Sequence, residues 1–125
     1  VKWVSRRQNT VETSAFSSEF IAMKQCIEDI EHLRYKLKMF GVPLDEDHTA
    51  TYILCDNEGV VNNSSFVHST LNKKHSDIAY HFTRWNVAAG VVKVAWVSTD
   101  RNIADALTKR LPEPKREYLF GEWTY

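Results

Sequence analysis

A long periodic segment followed by a short apolar run most constrains the fold of this chain. From a Ser/Thr cluster at residues 13–18 to about Phe40, apolar residues recur every three or four positions, which predicts a helix with one buried stripe. Gly41 ends this helix. The run at residues 51–55 predicts a buried strand, with Asp56 at its C-terminal end. The predicted stripe consists of Phe20, Met23, Ile27, Ile30, Leu33 or Arg34, and Leu37.

The rest of the chain continues to alternate between strand and helix patterns. Gly90 separates a helical pattern from a strand pattern, and Pro112 follows the final helical pattern. This alternation indicates an α/β domain. The predicted elements are, in chain order, a strand at residues 1–8, the long helix, the strand at 51–55, a short helix or turn at 57–63, a helix at about 73–89 with Ile78, Phe82, Trp85 and Val87 in its apolar pattern, a strand at 91–97 and a short helix at 102–111.

Composition excludes several classes of protein. The 125 residues carry 16 basic and 16 acidic side chains, and this balance argues against a wholly electrostatic nucleic-acid binder. No apolar run approaches the ~20 residues of a membrane span, and no secretory signal pattern opens the chain, so we expect no membrane insertion. Cys26 and Cys55 form no metal-ligand pair or disulfide framework, and we expect small buried thiols in an intracellular, reducing compartment.

Three carboxylates stand out by their positions. Glu19 is predicted in the first turn of the long helix, Asp56 ends the buried strand, and Asp105 opens the last helix. Strand ends and helix starts can converge at one edge of an α/β sheet, and clustered carboxylates suit Mg²⁺ or Mn²⁺. Two such ions ~4 Å apart would support phosphodiester hydrolysis. On spacing alone we favour the simpler interpretation, in which these acids interact with helix dipoles or cap turns.

Five blocks of sequence, taken together, point to a known family. They are KWVSRRQ at residues 2–8, VETSAFSSEFIA at 11–22, CDN at 55–57, KKHSDIAYHF at 73–82 and ADALTK at 104–109. In this order they resemble the ribonuclease H domain at the C-terminal end of copia-type retrotransposon polyproteins. The resemblance implies an RNase H-like fold, with a mixed five-stranded sheet flanked by helices, and a two-metal nuclease that cuts the RNA strand of RNA/DNA hybrids. It covers residues 1–112 as a partial domain and leaves 113–125 as an aromatic-rich C-terminal tail.

The resemblance also assigns metal ligands. Glu19, Asp56 and Asp105 match three of the four acidic ligands of the family, which are both catalytic and metal-binding. The fourth belongs to the first strand of the family's sheet, and no residue of this chain matches it. We therefore expect a truncated sheet that lacks the first two strands. Because the resulting gap exposes unpaired backbone groups, we expect this chain to fold poorly alone and to need another chain, or upstream residues, to complete the sheet.

Two further segments are candidate contact surfaces. The helix predicted at 73–89 carries basic side chains that could contact a nucleic-acid backbone, although a solvated helix face explains them equally well. The aromatic tail could dock on a partner or pack back on its own domain. The basic side chains are Lys73, Lys74, His75, His81 and Arg84, and the aromatic ones are Tyr118, Phe120, Trp123 and Tyr125.

Three functions remain open at this stage. For the chain as given we favour a domesticated or truncated retroelement fragment that acts as a non-catalytic structural subunit of a larger assembly, because one of four ligands has no match. The first alternative is a metal-dependent ribonuclease H that becomes active with Mg²⁺ or Mn²⁺ when upstream residues complete it. The second alternative is a nucleic-acid-binding module, which needs a continuous positive face.

Overall fold

The computed structural model describes residues 8, 14–44, 50–66 and 77–121. Within these ranges the protein is a mixed α/β structure. Its helices are α1 (Ala15–Met39), α2 (Glu58–Ser65), α3 (Asp77–Ala88), α4 (Asp105–Thr108) and α5 (Glu113–Phe120), and its strands are β1 (Thr51–Cys55) and β2 (Val92–Trp96). The strand predicted at 1–8 lies outside the described residues except for Gln8, as do residues 73–76 and 122–125.

Local capping defines the ends of α1 as the sequence predicted. The hydroxyl of Ser14 accepts a hydrogen bond from the backbone N–H of Ser17 at 3.3 Å, which satisfies a donor that the first helical turn leaves unpaired. At the other end Gly41 adopts a φ of +73°, a left-handed conformation that costs glycine little. Gly90 has a φ of +71° and ends α3 in the same way.

The core forms between α1, α3 and the helix-facing side of the sheet. Phe20 is fully buried, and its ring contacts Phe16 and Tyr80 edge-to-face at centroid distances of 5.0 and 5.7 Å. The predicted stripe of α1 is right at Phe20, Met23 and Ile27, which are buried. Further along the helix Ile30 packs partly buried against this core and Arg34 and Leu37 are half-buried, whereas Leu33 is 49% exposed, so of the two alternatives at that turn the structure favours Arg34.

The sheet described consists of β1 and β2, which pair in parallel. Thr51 lies opposite Val92 and Cys55 opposite Trp96. A parallel pair needs a crossover connection, which α2 and α3 supply. The guanidinium of Arg34 also donates a hydrogen bond to the carbonyl of Val91 at 3.1 Å and so ties α1 to the start of β2.

Two predictions about buried faces need correction. Strand β1 is not buried on both sides, because Tyr52 and Leu54 are 66% and 60% exposed while Ile53 and Cys55 are buried. In α3 the predicted apolar positions Ile78 and Trp85 are exposed. The buried positions of α3 are Ala79, Tyr80, Thr83 and Asn86.

The C-terminal part of the chain also differs in detail. The helix predicted at 102–111 is shorter, since α4 spans only Asp105–Thr108 after a 3₁₀ helix at Thr99–Arg101. Much of the predicted tail is helical, as α5, and buries Leu119, while Tyr118 is exposed. The prediction that Cys26 is buried is wrong, because this thiol lies on an exposed face of α1.

Candidate metal centre

The side chains of the candidate site lie at the C-terminal edge of the parallel sheet. Asp56 follows the last residue of β1, and the side chain of Asn57 then caps α2 by accepting from the backbone N–H of Val60 at 3.3 Å. Because the two strands are parallel, β2 ends at the same edge, with Trp96 opposite Cys55. From there the chain leads to α4 and Asp105.

Glu19 enters the same region from α1. It is the fifth residue of that helix, so the expectation of a first-turn position is wrong, and no acidic residue occupies the first turn. Interaction with the helix dipole, which fades beyond the first turn, therefore does not account for this carboxylate. Its chain neighbour Phe20 is fixed in the core, and this packing holds Glu19 at the sheet edge.

The structure brings two of the predicted ligands into direct proximity. Carboxylate oxygens of Glu19 and Asp56 and the sulfur of Cys55 lie within 4.8 Å of one another. Both carboxylates are half-buried, whereas Cys55 is buried. Two elements remote in sequence, α1 and the end of β1, therefore meet here, and we call Glu19 and Asp56, together with the third predicted ligand Asp105, the acidic cluster.

Asp105 contributes the third negative charge of the acidic cluster. It is only 7% exposed, and one of its carboxylate oxygens accepts a hydrogen bond from the ammonium of Lys109 at 2.9 Å. Asp105 is close enough to Glu19 to help raise the pKa of that carboxyl. Asp105 thus adds its charge to the site, but its carboxylate lies outside the 4.8 Å group of Glu19, Cys55 and Asp56.

The pKa of Glu19 is raised from its usual value. Desolvation by burial is the largest cause, repulsion from Asp56 follows, and Asp105 adds to it, whereas the positive charge of Lys109 acts in the opposite direction. Mutual repulsion of this kind destabilises the charged form of the acidic cluster. A bound cation would relieve it, and carboxylate oxygens are the donors that Mg²⁺ and Mn²⁺ prefer, so the residues present fit such an ion.

Cys55 belongs to this region but has a different role. The pKa of its thiol is raised, chiefly by burial; a weak hydrogen bond to the Asn57 carbonyl lowers it, and the carboxylates of Glu19 and Asp56 raise it by smaller amounts. The group therefore stays a thiol at neutral pH. A protonated sulfur is a poor ligand for a hard cation, so Cys55 acts as a small apolar neighbour of the carboxylates.

An open cleft lies over Glu19 and Asp56. It is lined by Glu19, Asp56, Asn57, Glu58, Gly59 and Trp96. The indole N–H of Trp96 donates to the backbone carbonyl of Asp56 at 3.2 Å, and this bond fixes the backbone that presents the Asp56 carboxylate. The cleft gives solvent and a ligand access to these groups.

The predicted nucleic-acid contacts are only partly described. Lys73, Lys74 and His75 lie outside the described residues, while His81 is exposed on α3. The guanidinium of Arg84 donates to the hydroxyl of Tyr80 and lies over that ring, 5.1 Å from its centroid. Arg84 is therefore engaged with the core of the protein, and contact between these five residues and a nucleic acid stays a prediction.

Sequence reasoning missed two residues of this region. In the sequence analysis Trp96 and Lys109 were only members of larger patterns. In the structure Trp96 fixes the backbone of Asp56, and Lys109 pairs with Asp105. The spacing of Asp105 and Lys109, four residues apart, is a signal that could have identified the second.

Comparison with known proteins finds retroelement polyproteins. The chain is 30% identical, over 118 residues and 94% of its length, to a retrovirus-related Pol polyprotein from transposon TNT 1-94 of Nicotiana tabacum. It is 32% identical over 114 residues to the corresponding Pol polyproteins from transposons RE2 and RE1 of Arabidopsis thaliana, with 89% of the chain covered in each case. These homologues support a copia-type Pol polyprotein as the origin of this sequence.

The matched regions are small parts of the relatives. The chain spans 8% of the tobacco polyprotein and 7% of each Arabidopsis polyprotein. No protein-family model and no solved structure matches the chain. None of the helices among the described residues is long and apolar enough to cross a membrane.

Proposed function

We propose that this chain is the C-terminal part of a ribonuclease H domain of a copia-type Pol polyprotein, completed by upstream residues. Its acidic cluster would supply three of four ligands to a nuclease that cuts the RNA strand of RNA/DNA hybrids. The observation that carries the proposal is the meeting of Glu19 and Asp56 at the C-terminal edge of a parallel sheet, where the charge of Asp105 also acts on Glu19. The similarity to Pol polyproteins supports the same assignment.

The fold assignment belongs to this proposal. Strands β1 and β2 would be neighbours in the mixed five-stranded sheet of an RNase H-like domain spanning residues 1–112, with 113–125 as a tail. Their parallel pairing and the helices that connect them agree with that arrangement. The remaining strands would come from the opening segment of this chain and from residues upstream of it.

The chain's own residues have distinct tasks in the proposed reaction. Mg²⁺ or Mn²⁺, when bound, supplies activation of a water molecule and stabilisation of the leaving oxygen. Glu19, Asp56 and Asp105 would hold the ions, and the Asn57 cap and the Trp96 hydrogen bond keep the Asp56 segment in place. Basic side chains near α3, among them Lys73, Lys74, His75 and His81, would bind phosphates of the hybrid.

Substitution of Asp56 by Asn tests this function. The protein is expressed together with the residues encoded upstream, and cleavage of a hybrid with labelled RNA is followed in Mg²⁺. We expect Asp56→Asn to abolish cleavage, because the amide withdraws a negative charge and a ligand oxygen from the metal site, while the circular dichroism spectrum stays unchanged. The matched control is Asp100→Asn, since Asp100 is exposed and pairs with Lys115. Cleavage that persists in Asp56→Asn would contradict the proposal.

A structural role in a larger assembly is the second candidate. The sheet face that carries Tyr52 and Leu54 is exposed, and such an apolar face favours coverage by further protein. In this case Asp56→Asn leaves the assembly intact, and deletion of residues 118–125 releases the chain if the tail is the docking element. The same Asp56→Asn variant therefore separates the two functions.

A further inference from the structure

Lys109 occupies a position that the proposed nuclease function does not explain. Lys109 follows α4 directly, and Asp105 accepts hydrogen bonds from both its backbone N–H and its side-chain ammonium. The backbone N–H of Lys109 donates to the Asp105 carbonyl at 2.8 Å, and its ammonium donates to the Asp105 carboxylate at 2.9 Å. Two hydrogen bonds to one residue fix the direction of this side chain.

The charge of Lys109 acts on the whole acidic cluster. The pKa of its ammonium is raised, chiefly by the hydrogen bond to Asp105; desolvation opposes this rise, and attraction to Asp105, Asp56 and Glu19 adds to it. Reciprocally, Lys109 opposes the rise in the pKa of Glu19. Its ammonium therefore neutralises part of the negative charge that Glu19, Asp56 and Asp105 share.

The pair with Asp105 also occupies a carboxylate oxygen. The Asp105 side chain is 10% exposed, whereas that of Lys109 is 56% exposed. Lys109 can therefore swing into solvent without repacking the core, while Asp105 stays in place. A divalent cation that takes this oxygen must first displace the ammonium.

We propose that Lys109 is a built-in counter-ion of the acidic cluster, which stabilises the carboxylates without metal and competes with a divalent cation for Asp105. The inference rests on the proposed metal-binding function and deepens it. It predicts that Lys109 weakens metal affinity while it makes the metal-free protein more stable. Lys109 is thus a residue that regulates occupancy of the site.

Mn²⁺ binding to the protein expressed together with its upstream residues, and to the Lys109→Met variant of that protein, tests this inference. Met keeps the length of the side chain and removes its charge. Loss of one positive charge a few ångströms from the ion should tighten Mn²⁺ binding about tenfold in isothermal titration calorimetry. The same variant should unfold at a lower temperature without metal and gain more from added Mn²⁺ than the wild type does.

Three further variants make the result specific. Lys109→Arg retains the charge and should bind Mn²⁺ within about twofold of the wild type. Lys115→Met removes an equivalent surface ion pair, that with Asp100, and should leave Mn²⁺ binding unchanged. Lys109→Gln, a polar neutral variant, should repeat the effect of Lys109→Met and replaces it if the Met variant aggregates.

The outcomes separate this inference from the proposed function. Equal Mn²⁺ affinity of wild type and Lys109→Met, with binding that Asp56→Asn weakens, overturns the counter-ion role and leaves the metal site standing. Mn²⁺ binding that is unaffected by Asp56→Asn, or absent from all variants, overturns both. Binding that appears only after removal of the Lys109 charge supports both, with the ammonium as the dominant competitor.

Discussion

At the scale of single residues, the acidic cluster places repulsive charges where the fold could have accommodated neutral ones. Glu19 lies beside Asp56 within the 4.8 Å group, and burial raises the pKa of its carboxyl. Nothing in the packing of α1 requires a charge at this position, because the helix is anchored by the apolar neighbours Phe20 and Met23. Repulsion that is retained without a packing benefit is typical of functional sites.

Because of this repulsion, Glu19→Gln should have opposite effects on the stability of the protein in the absence and in the presence of metal. A carboxyl whose pKa is raised in the folded state binds more protons there than when unfolded, so its contribution to stability is full below pH 4.5 and is lost as the pH rises through the folded pKa. At neutral pH without divalent cations, Glu19→Gln should therefore raise the free energy of unfolding by up to about 1 kcal/mol, a small gain because solvent screens a half-buried group. With Mn²⁺ present, the variant should lose the metal-induced stabilisation.

Thermal unfolding between pH 4 and pH 8 measures this effect. The matched control is Glu28→Gln on the same helix, because Glu28 pairs with Lys24 at 3.2 Å and its loss should destabilise slightly, by about 0.3–0.5 kcal/mol. A Glu19→Gln variant that is less stable than the wild type in metal-free buffer at pH 7 would show that Glu19 is stabilised by contacts rather than strained by its neighbours.

At the scale of secondary-structure elements, local signals predicted the ends and the buried N-terminal half of α1 but not the buried face of α3. The ends of α1 depend on Ser14 and Gly41, whose effects act within one turn, so the sequence alone sufficed. In α3 the apolar residues Ile78 and Trp85 suggested a buried stripe, yet Tyr80 and its neighbours face the core instead. The side of α3 that is buried is decided by contact with α1, which no local pattern encodes.

A pair of alanine substitutions tests the observed packing of α1 against α3. Phe20→Ala should lower the free energy of unfolding by about 3–5 kcal/mol, since the ring is fully buried between Phe16 and Tyr80 and its removal leaves a cavity. Ile78→Ala should change it by less than about 0.5 kcal/mol, because this side chain is 79% exposed. Urea denaturation of both variants measures the difference. A large loss for Ile78→Ala would instead support the face predicted from the sequence.

At the scale of the whole molecule, the acidic cluster is more predictable than the sheet around it. The sequence placed Asp56 at a strand end, and parallel pairing then fixes that edge as the meeting point with α4 and Asp105. The spacing of Lys109 and Asp105 indicates their ion pair locally, but the effect of this charge on Glu19 and Asp56 depends on the meeting of these elements. The two described strands leave one face of the sheet open, with Tyr52 and Leu54 on it and Lys93 5.8 Å from the Tyr52 ring centroid.

The effect of Leu54→Ser on the free energy of unfolding tests whether upstream residues cover this open face. If upstream residues also pack over this face, Leu54 becomes buried, and Leu54→Ser should then cost about 2 kcal/mol or more. In the 125-residue chain the same change should alter the free energy of unfolding by less than about 0.5 kcal/mol and should reduce self-association, because Leu54 is 60% exposed there.

Urea unfolding of both lengths, with sedimentation of the shorter one, measures this contrast. Tyr35→Ser serves as the control, since Tyr35 is exposed on α1 rather than on the sheet and should be nearly neutral in both lengths. An equally small effect of Leu54→Ser in both lengths would mean that upstream residues leave this face open. That result would leave the face available to a separate protein chain, which is the arrangement that the structural-subunit function requires.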